Sequence, residues 1–262
     1  MTLEGKSVVV TGGAAGLGRY IALGCAERGA NVTIGDIDPE MLDSAEKELR
    51  TFGHGVVAIS CDVRSCAEAK TLMDTAASAH GGIDYLVNNA GIARPTSRYL
   101  PHWPYFKDMD ADFFDRIFDT NVHGLFHCSK HALTYMKEQR AGHIANVHSW
   151  QGGDALANAA LYVMSKKAAI TFTRFLAEQV RAFNVCVMSI CPGGGFATES
   201  APEDVRQLLP GPDIAGERYF LAADAPMCLS GRLLSFSDNL LVPIDYNLEW
   251  ETMPLGAPAL RG

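Results

Sequence analysis

The chain has 262 residues, 48% hydrophobic and 20% charged, a balance that suits one compact globular domain with a sizeable core and argues against disorder. A formal net charge of −8 with no long Lys/Arg run excludes the electrostatic footprint of a nucleic-acid binder and gives no attraction to an acidic lipid surface. The seven cysteines contain no CxxC pair, and no stretch reaches the ~18 apolar residues of a membrane span, so disulfide frameworks, zinc sites and spanning helices are not signalled. The start, MTLEGKSVVV, does not read as a secretory leader, and a cytoplasmic location is expected.

In chain order, KSVVVT is a β-branched run followed by a glycine cluster and then GRYIALGCAERG, whose apolar residues recur at helical spacing until Gly29. That is strand, tight turn, helix. NVTIGD predicts a strand, PEMLDSAEKELRTFG a helix with Pro39 in its first turn, GVVAIS a strand and CAEAKTLMDTAASAHGG a helix. The alternation continues through DYLVNNA, the long helical run 111–139, HIANVHS, the helical run 159–183 and NVCVMSICP. Strands that are almost continuously apolar and alternate with helices imply a parallel sheet covered on both faces. The expected fold is α/β, a doubly wound, Rossmann-type parallel sheet in a three-layer α/β/α single domain over 1–262, with its ligand crevice at the carboxyl ends of the strands. From about 237 to 262 the alternation is lost, which predicts an irregular tail.

TGGAAGLG follows the first strand and opens the first helix. It sets Gly12, Gly16 and Gly18, with Leu17 between the last two, where a backbone turns sharply, approaches a pyrophosphate and packs closely. The helix N-terminus adds N–H groups and partial positive charge for the anion. Asp36 ends the second strand, where a carboxylate accepts the ribose hydroxyls of an adenosine and repels a 2′-phosphate. With Ala15 before the middle glycine and Ile37 after Asp36, the usual cationic partners of a 2′-phosphate are missing, which favours NAD over NADP. Arg19 is the one nearby cation that would favour a phosphate, and helix capping before Pro39 is the plainer reading of Asp36.

Tyr162 and Lys166 stand four residues apart in a helical run, hence on one face, where an ammonium favours the phenolate. The pair makes a general acid/base. Ser149 ends the strand HIANVHS and reaches the same crevice from the sheet side, as a donor to the reacting oxygen. His148, one residue earlier, is expected by alternation to point away and to be structural.

Together these stretches resemble the short-chain dehydrogenase/reductase family, in its single-domain branch. TGGAAGLG is similar to that family's TGxxxGxG, NNAG at 88–91 to its NNAG, Asn121 to its helix asparagine, Ser149 with YVMSK to its Ser and YxxxK, and PGGGFAT to its PG motif with a following Thr. The resemblance implies that Tyr162 is the catalytic acid/base, that Ser149 polarises the substrate oxygen, that Lys166 lowers the tyrosine pKa and holds the nicotinamide ribose, and that Asn121 supports a relay water. It also implies that Asp62 and Val63 border the adenine, that Asn88, Ala90 and Gly91 lie on the adenosine ribose side, and that Pro192, Gly193 and Thr198 lie at the nicotinamide. The structural alternative for Asn121 is a bridge between backbone groups at a helix kink.

The activity so implied is hydride transfer between a secondary alcohol or ketone and NAD, without a metal, in a homotetramer or dimer. The rival class is a non-catalytic NAD(H)-sensing Rossmann protein, which has no need of Ser149, Tyr162, Lys166 and Asn121 together. An epimerase or dehydratase is disfavoured by length and glycine spacing. Trp150 and Gln151 stand where the family has small residues, and Tyr99, Trp103, Tyr105 and Phe106 crowd the stretch before residue 111, so these are candidate walls for an apolar or ring-containing substrate. The segment from 199 to 220 is expected to form a lid.

Overall fold

The computed structural model describes residues 2–92, 107, 109, 111–149, 160–193, 207, 211–216, 218–237 and 240–244. Its strands are β1 (Ser7–Thr11), β2 (Asn31–Asp36), β3 (Val56–Ser60), β4 (Tyr85–Asn88), β5 (Gly142–Val147), β6 (Val185–Cys191), β7 (Leu233–Ser237) and β8 (Leu240–Pro243). Its main helices are α1 (Gly16–Ala26), α2 (Pro39–Leu49), α3 (Cys66–His80), α4 (Ala111–Phe118), α5 (Gly124–Gln139) and α6 (Ala160–Val180). They form one sheet in the order β3-β2-β1-β4-β5-β6-β7-β8, parallel except for the last pair.

β1 shows why the layers form. Its side chains alternate across the sheet, so Val8 and Val10 join an apolar cluster with Ile21 of α1 and Leu42 of α2. Val9 joins a second cluster on the other face, with Leu72 of α3, Met136 of α5 and Leu176 of α6. Every residue of β1 and of β6 is buried, as a strand covered on both faces must be. At ~25 cal/mol per Å² of buried apolar surface, two such clusters are the main favourable term in the fold.

Because β1 is flanked by β2 on one side and β4 on the other, successive connections diverge there and leave a crevice outside the strand ends. Local chemistry sets the helix starts around it. Asp38 caps α2 by accepting from the N–H groups of Glu40 and Met41, and Pro39 follows in the first turn. Asp38 thus takes the cap, and Asp36 is released from the plainer role open to it in the sequence.

Three expectations are corrected. The helical run 111–139 is divided by a π-helical turn at Asp119–His123, so it is two helices. The tail expected from about 237 contains β8, which pairs antiparallel with β7; it is a sheet edge with Leu240 exposed, so burial leaves little apolar pattern to read. The expected lid segment ends in core, because Tyr219 is fully buried, with its hydroxyl donating to Ile190 O and its carbonyl accepting from the Tyr85 hydroxyl. Trp103, Trp150, Gln151, Thr198, the aromatic stretch 98–106, residues 199–206 of the expected lid and 245–262 of the expected tail lie outside the described residues.

Candidate active site

The glycine turn is held by a short chain of hydrogen bonds. Gly12 and Gly16 have φ of 62° and 51°, which favour glycine, and a Cβ on Gly12 would lie 2.9 Å from Ala90 Cα. A Cβ on Gly18 would run into the Gly12 carbonyl oxygen and the Asn89 amide. Asn89 locks the turn by donating from Nδ2 to Thr11 O and Gly12 O, both at 3.0 Å. Thr11 Oγ1 in turn accepts from the N–H groups of Asn89 and Ala90. Ala15 gives the start of α1 no side-chain cap and no acid stands in its first turn, so the helix end is suited to an anion.

Asp36 Oδ2 accepts from Ala14 N at 3.1 Å, fixing the carboxylate beside the turn, and Ile37 is exposed next to it. Arg19 faces away, with Nε donating to Glu48 at 2.8 Å, so it braces α1 against α2. Asp62 and Val63 line the same cleft, and both Asp62 oxygens are held by Arg64, which keeps that carboxyl below the ordinary carboxylate range.

At the other end, the Ser149 hydroxyl hydrogen-bonds the Tyr162 phenol. Lys166 Nζ donates to Val147 O at 2.9 Å and lies 5.6 Å from the centre of the Tyr162 ring. Strand end and helix face therefore converge, as the spacing predicts. The electrostatics differ from expectation. Burial raises the Tyr162 pKa, and the Ser149 hydrogen bond pulls it down only in part. Burial also lowers Lys166, to about 8, and one of its N–H groups is taken by Val147 O.

Asn121 lies in the π turn. Its Oδ1 accepts from Ile92 N at 2.8 Å, and its Nδ2 donates to Ile92 O and to Ser165 Oγ, both at 3.0 Å. Ser165 Oγ donates to Tyr162 O, so Asn121 buttresses the turn of α6 that carries Tyr162. Among the described residues, the second lone pair of Oδ1 is the part of this amide left for a water.

A cleft of about 680 Å³ joins the two ends. Gly12, Gly16, Leu17, Ala90, Gly91 and Pro192 line it between Asp36 and the Ser149, Tyr162 and Lys166 group. Two expected contacts are elsewhere. Asn88 is buried and donates to Ser129 Oγ and Asn146 Oδ1, because alternation along β4 turns it from the cleft; Asn89 takes the place expected of it. Gly18 acts in packing rather than in lining. Gly193, with φ of 99°, turns the chain after Pro192. The sequence reading missed Asn89, Arg64, Ile92, Arg116 and Thr120 in the cleft; Asn89 was signalled by its place inside NNAG, and the rest had no distinguishing pattern. Among the described residues no group of three or more His, Cys, Asp or Glu side chains is placed to hold a metal. No helix among them is long and apolar enough to cross a membrane.

The doubly wound sheet, glycine turn and Ser, Tyr and Lys convergence define a class. The chain belongs to the short chain dehydrogenase family, whose model matches residues 6–207. It is 33% identical over 242 residues, 88% of this chain and 94% of the other, to cis-4-hydroxycyclohexanecarboxylate dehydrogenase of Sinomonas cyclohexanicum. Among solved structures it resembles an NAD+-bound xylitol dehydrogenase, with a TM-score of 0.77 and 27% identity over 90% of this chain and 99% of that one. It also resembles a short chain dehydrogenase of Burkholderia cenocepacia in complex with NADP, with a TM-score of 0.79 and 26% identity over 90% and 98%. Members of both cofactor types therefore share this fold, and the protein is an oxidoreductase by family.

Proposed function

We propose that this protein is an NAD-dependent oxidoreductase acting between a ring-containing secondary alcohol and its ketone, with Tyr162 as general acid/base. The observation that carries the proposal is one cleft holding Asp36 at one end and the hydrogen-bonded Ser149 and Tyr162 pair beside buried Lys166 at the other. The residues fit a nicotinamide dinucleotide: a helix start to which Ala15 gives no side-chain cap for the pyrophosphate, a fixed carboxylate for the adenosine ribose, and space beside Pro192 for the nicotinamide. When bound, that cofactor supplies the hydride acceptor or donor.

The chain's own groups handle the proton and the orientation. In oxidation Tyr162 accepts the hydroxyl proton once its own phenolic proton has passed to solvent, and in reduction the phenol gives its proton to the carbonyl oxygen. Ser149 donates a hydrogen bond to the same oxygen as its charge changes. Burial keeps the phenol protonated at rest, so the acid needed for ketone reduction is already in place. Lys166, anchored on the Val147 carbonyl 5.6 Å from the phenol ring, offers its remaining N–H donors to the nicotinamide ribose, and Asn121 keeps the Tyr162 turn of helix in register.

NAD is preferred because the Asp36 carboxylate would repel a 2′-phosphate and Arg19 is engaged with Glu48. A ring-containing substrate is supported by the name of the cyclohexane-acting relative and by the aromatic residues at 99–106. Exposed Phe126 on α5 and Phe175 on α6 support packing against further copies, as a dimer or tetramer. Seven cysteines that remain thiols fit a reducing, cytoplasmic setting.

The test is nicotinamide absorbance with NAD and with NADP over a panel of cyclic secondary alcohols. NAD is expected to give kcat/KM at least about tenfold above NADP. Equal or reversed preference contradicts the Asp36 assignment. NADH binding without any turnover supports the sensor alternative instead.

A further inference from the structure

His148 lies between the two residues of β5 and its continuation that contact the proposed catalytic groups. Val147 on one side gives its carbonyl to Lys166, and Ser149 on the other hydrogen-bonds Tyr162. The imidazole is 1% exposed, and it is used. Its Nδ1 is 3.1 Å from Ser189 Oγ on β6, while the backbone N–H of residue 148 donates to Ile190 O at 3.0 Å and so extends the pairing of β5 with β6 past Val147. Ser189 Oγ also lies 3.3 Å from Asn146 O. A hydroxyl has one proton to give, so Ser189 either gives it to Asn146 O and accepts from Nδ1–H or gives it to Nδ1, and in both cases it bonds the imidazole. Asn146, in turn, donates to Thr173 Oγ1 of α6. The end of β5 is thus clamped at three successive residues, on β6 and on the helix that bears Tyr162 and Lys166.

We propose that His148 is a positioning residue, holding the end of β5 against β6 so that the Ser149 hydroxyl and the Val147 carbonyl stay in register with Tyr162 and Lys166. This rests on the oxidoreductase reading above. Burial first, and the neighbouring Lys166 charge second, push the imidazole down to about 3, so it clamps without adding a second cation beside Lys166. An ordinary core histidine would matter to stability alone. The distinction is measurable because the clamp acts on two atoms of the reacting group and on none at the Asp36 end.

The experiment compares His148→Ala, His148→Asn, Ser189→Ala and the His148→Ala/Ser189→Ala double variant for kcat, NADH affinity and melting temperature. His148→Ala is expected to lower kcat by about 10- to 100-fold with NADH affinity within about threefold of wild type. Asn, which offers a neutral hydrogen-bonding group of similar reach, is expected to recover kcat to within about threefold. Ser189→Ala removes one hydroxyl and should cost about three- to tenfold, and the double variant should be no worse than His148→Ala, as expected for two groups in one bond. Should His148→Ala fail to fold, the Asn and Ser189 variants decide the matter. The inference is overturned if kcat in His148→Ala, or in Ser189→Ala where that alone folds, stays within about twofold of wild type. Equal impairment by Asn and Ala overturns it too. A wild-type protein that binds NADH but turns over no alcohol defeats the oxidoreductase reading itself, and the positioning role with it.

Discussion

At the β1–β2 end of the cleft, the features suited to a ligand are mostly main chain: a left-handed Gly12, a left-handed Gly16 and a helix start that Ala15 does not cap, with the Asp36 carboxylate fixed beside them. At the β5–α6 end they are side chains, and buried ones: Lys166 at 7% exposure, Asn121 at 3% and His148 at 1%. The difference follows from the work proposed for each end. Cradling a phosphate needs N–H groups that any residue provides once the turn is made, whereas moving a proton needs specific groups whose pKa values burial can shift. One end is set by where the chain has no side chain, the other by which side chains it shields from water.

That contrast makes the two ends separable by substitution. The largest effect is expected from Tyr162→Phe, which removes only the phenolic oxygen. We expect kcat to fall by about 10³-fold, about 4 kcal/mol of transition-state stabilisation, with NADH affinity in a fluorescence titration nearly unchanged. Retained turnover would break the division at its catalytic end. Next is Gly18→Ala, whose methyl meets the Gly12 carbonyl and the Asn89 amide, both parts of the locked turn. Thermal or denaturant unfolding should show a loss of about 3 kcal/mol, and NADH affinity should fall at least about tenfold. An alanine variant with wild-type affinity would show that the turn is not the anchor.

The smallest of the three is a pH effect carried by His148. Its pKa is about 3 in the folded protein against an ordinary 6.5, so the unfolded chain takes up the proton first as pH falls. Stability from this group is complete above 6.5 and is lost progressively from 6.5 toward 3, about 2 kcal/mol of it by pH 5. Half-buried His143 is shifted the same way and adds to the slope. Denaturant midpoints at several pH values should therefore fall with acid, and His148→Asn should flatten the curve by one proton. An unchanged slope in that variant would mean that His148 is not a buried neutral group.

Much of this contrast was legible in the sequence, and unevenly so. The glycine turn and Asp36 were readable because backbone geometry leaves a compositional mark: glycine where φ is positive, a carboxylate at a strand end. The Ser149, Tyr162 and Lys166 grouping was readable because helix and strand periods fix which residues meet. What stayed hidden depended on burial and on partners. Nothing in YVMSK tells whether desolvation or a neighbouring ammonium governs the phenol, and in the structure desolvation wins. Asn88 and Asn89 are adjacent and identical in type, so only the phase of β4 decides that Asn88 faces the core and Asn89 the turn. The π turn at Asp119–His123 keeps helical spacing on both sides and leaves no gap in the pattern. β8 is short and half exposed, so its pairing with β7 shows no alternation to read.

The most direct measurement is a crystal structure with NADH and an unreactive analogue of the ketone. The account predicts the analogue oxygen within about 3 Å of both Ser149 Oγ and Tyr162 Oη, with the nicotinamide between Pro192 and Lys166 and the adenosine ribose on Asp36. An oxygen held by neither hydroxyl, or a dinucleotide bound with its ends reversed, would contradict it.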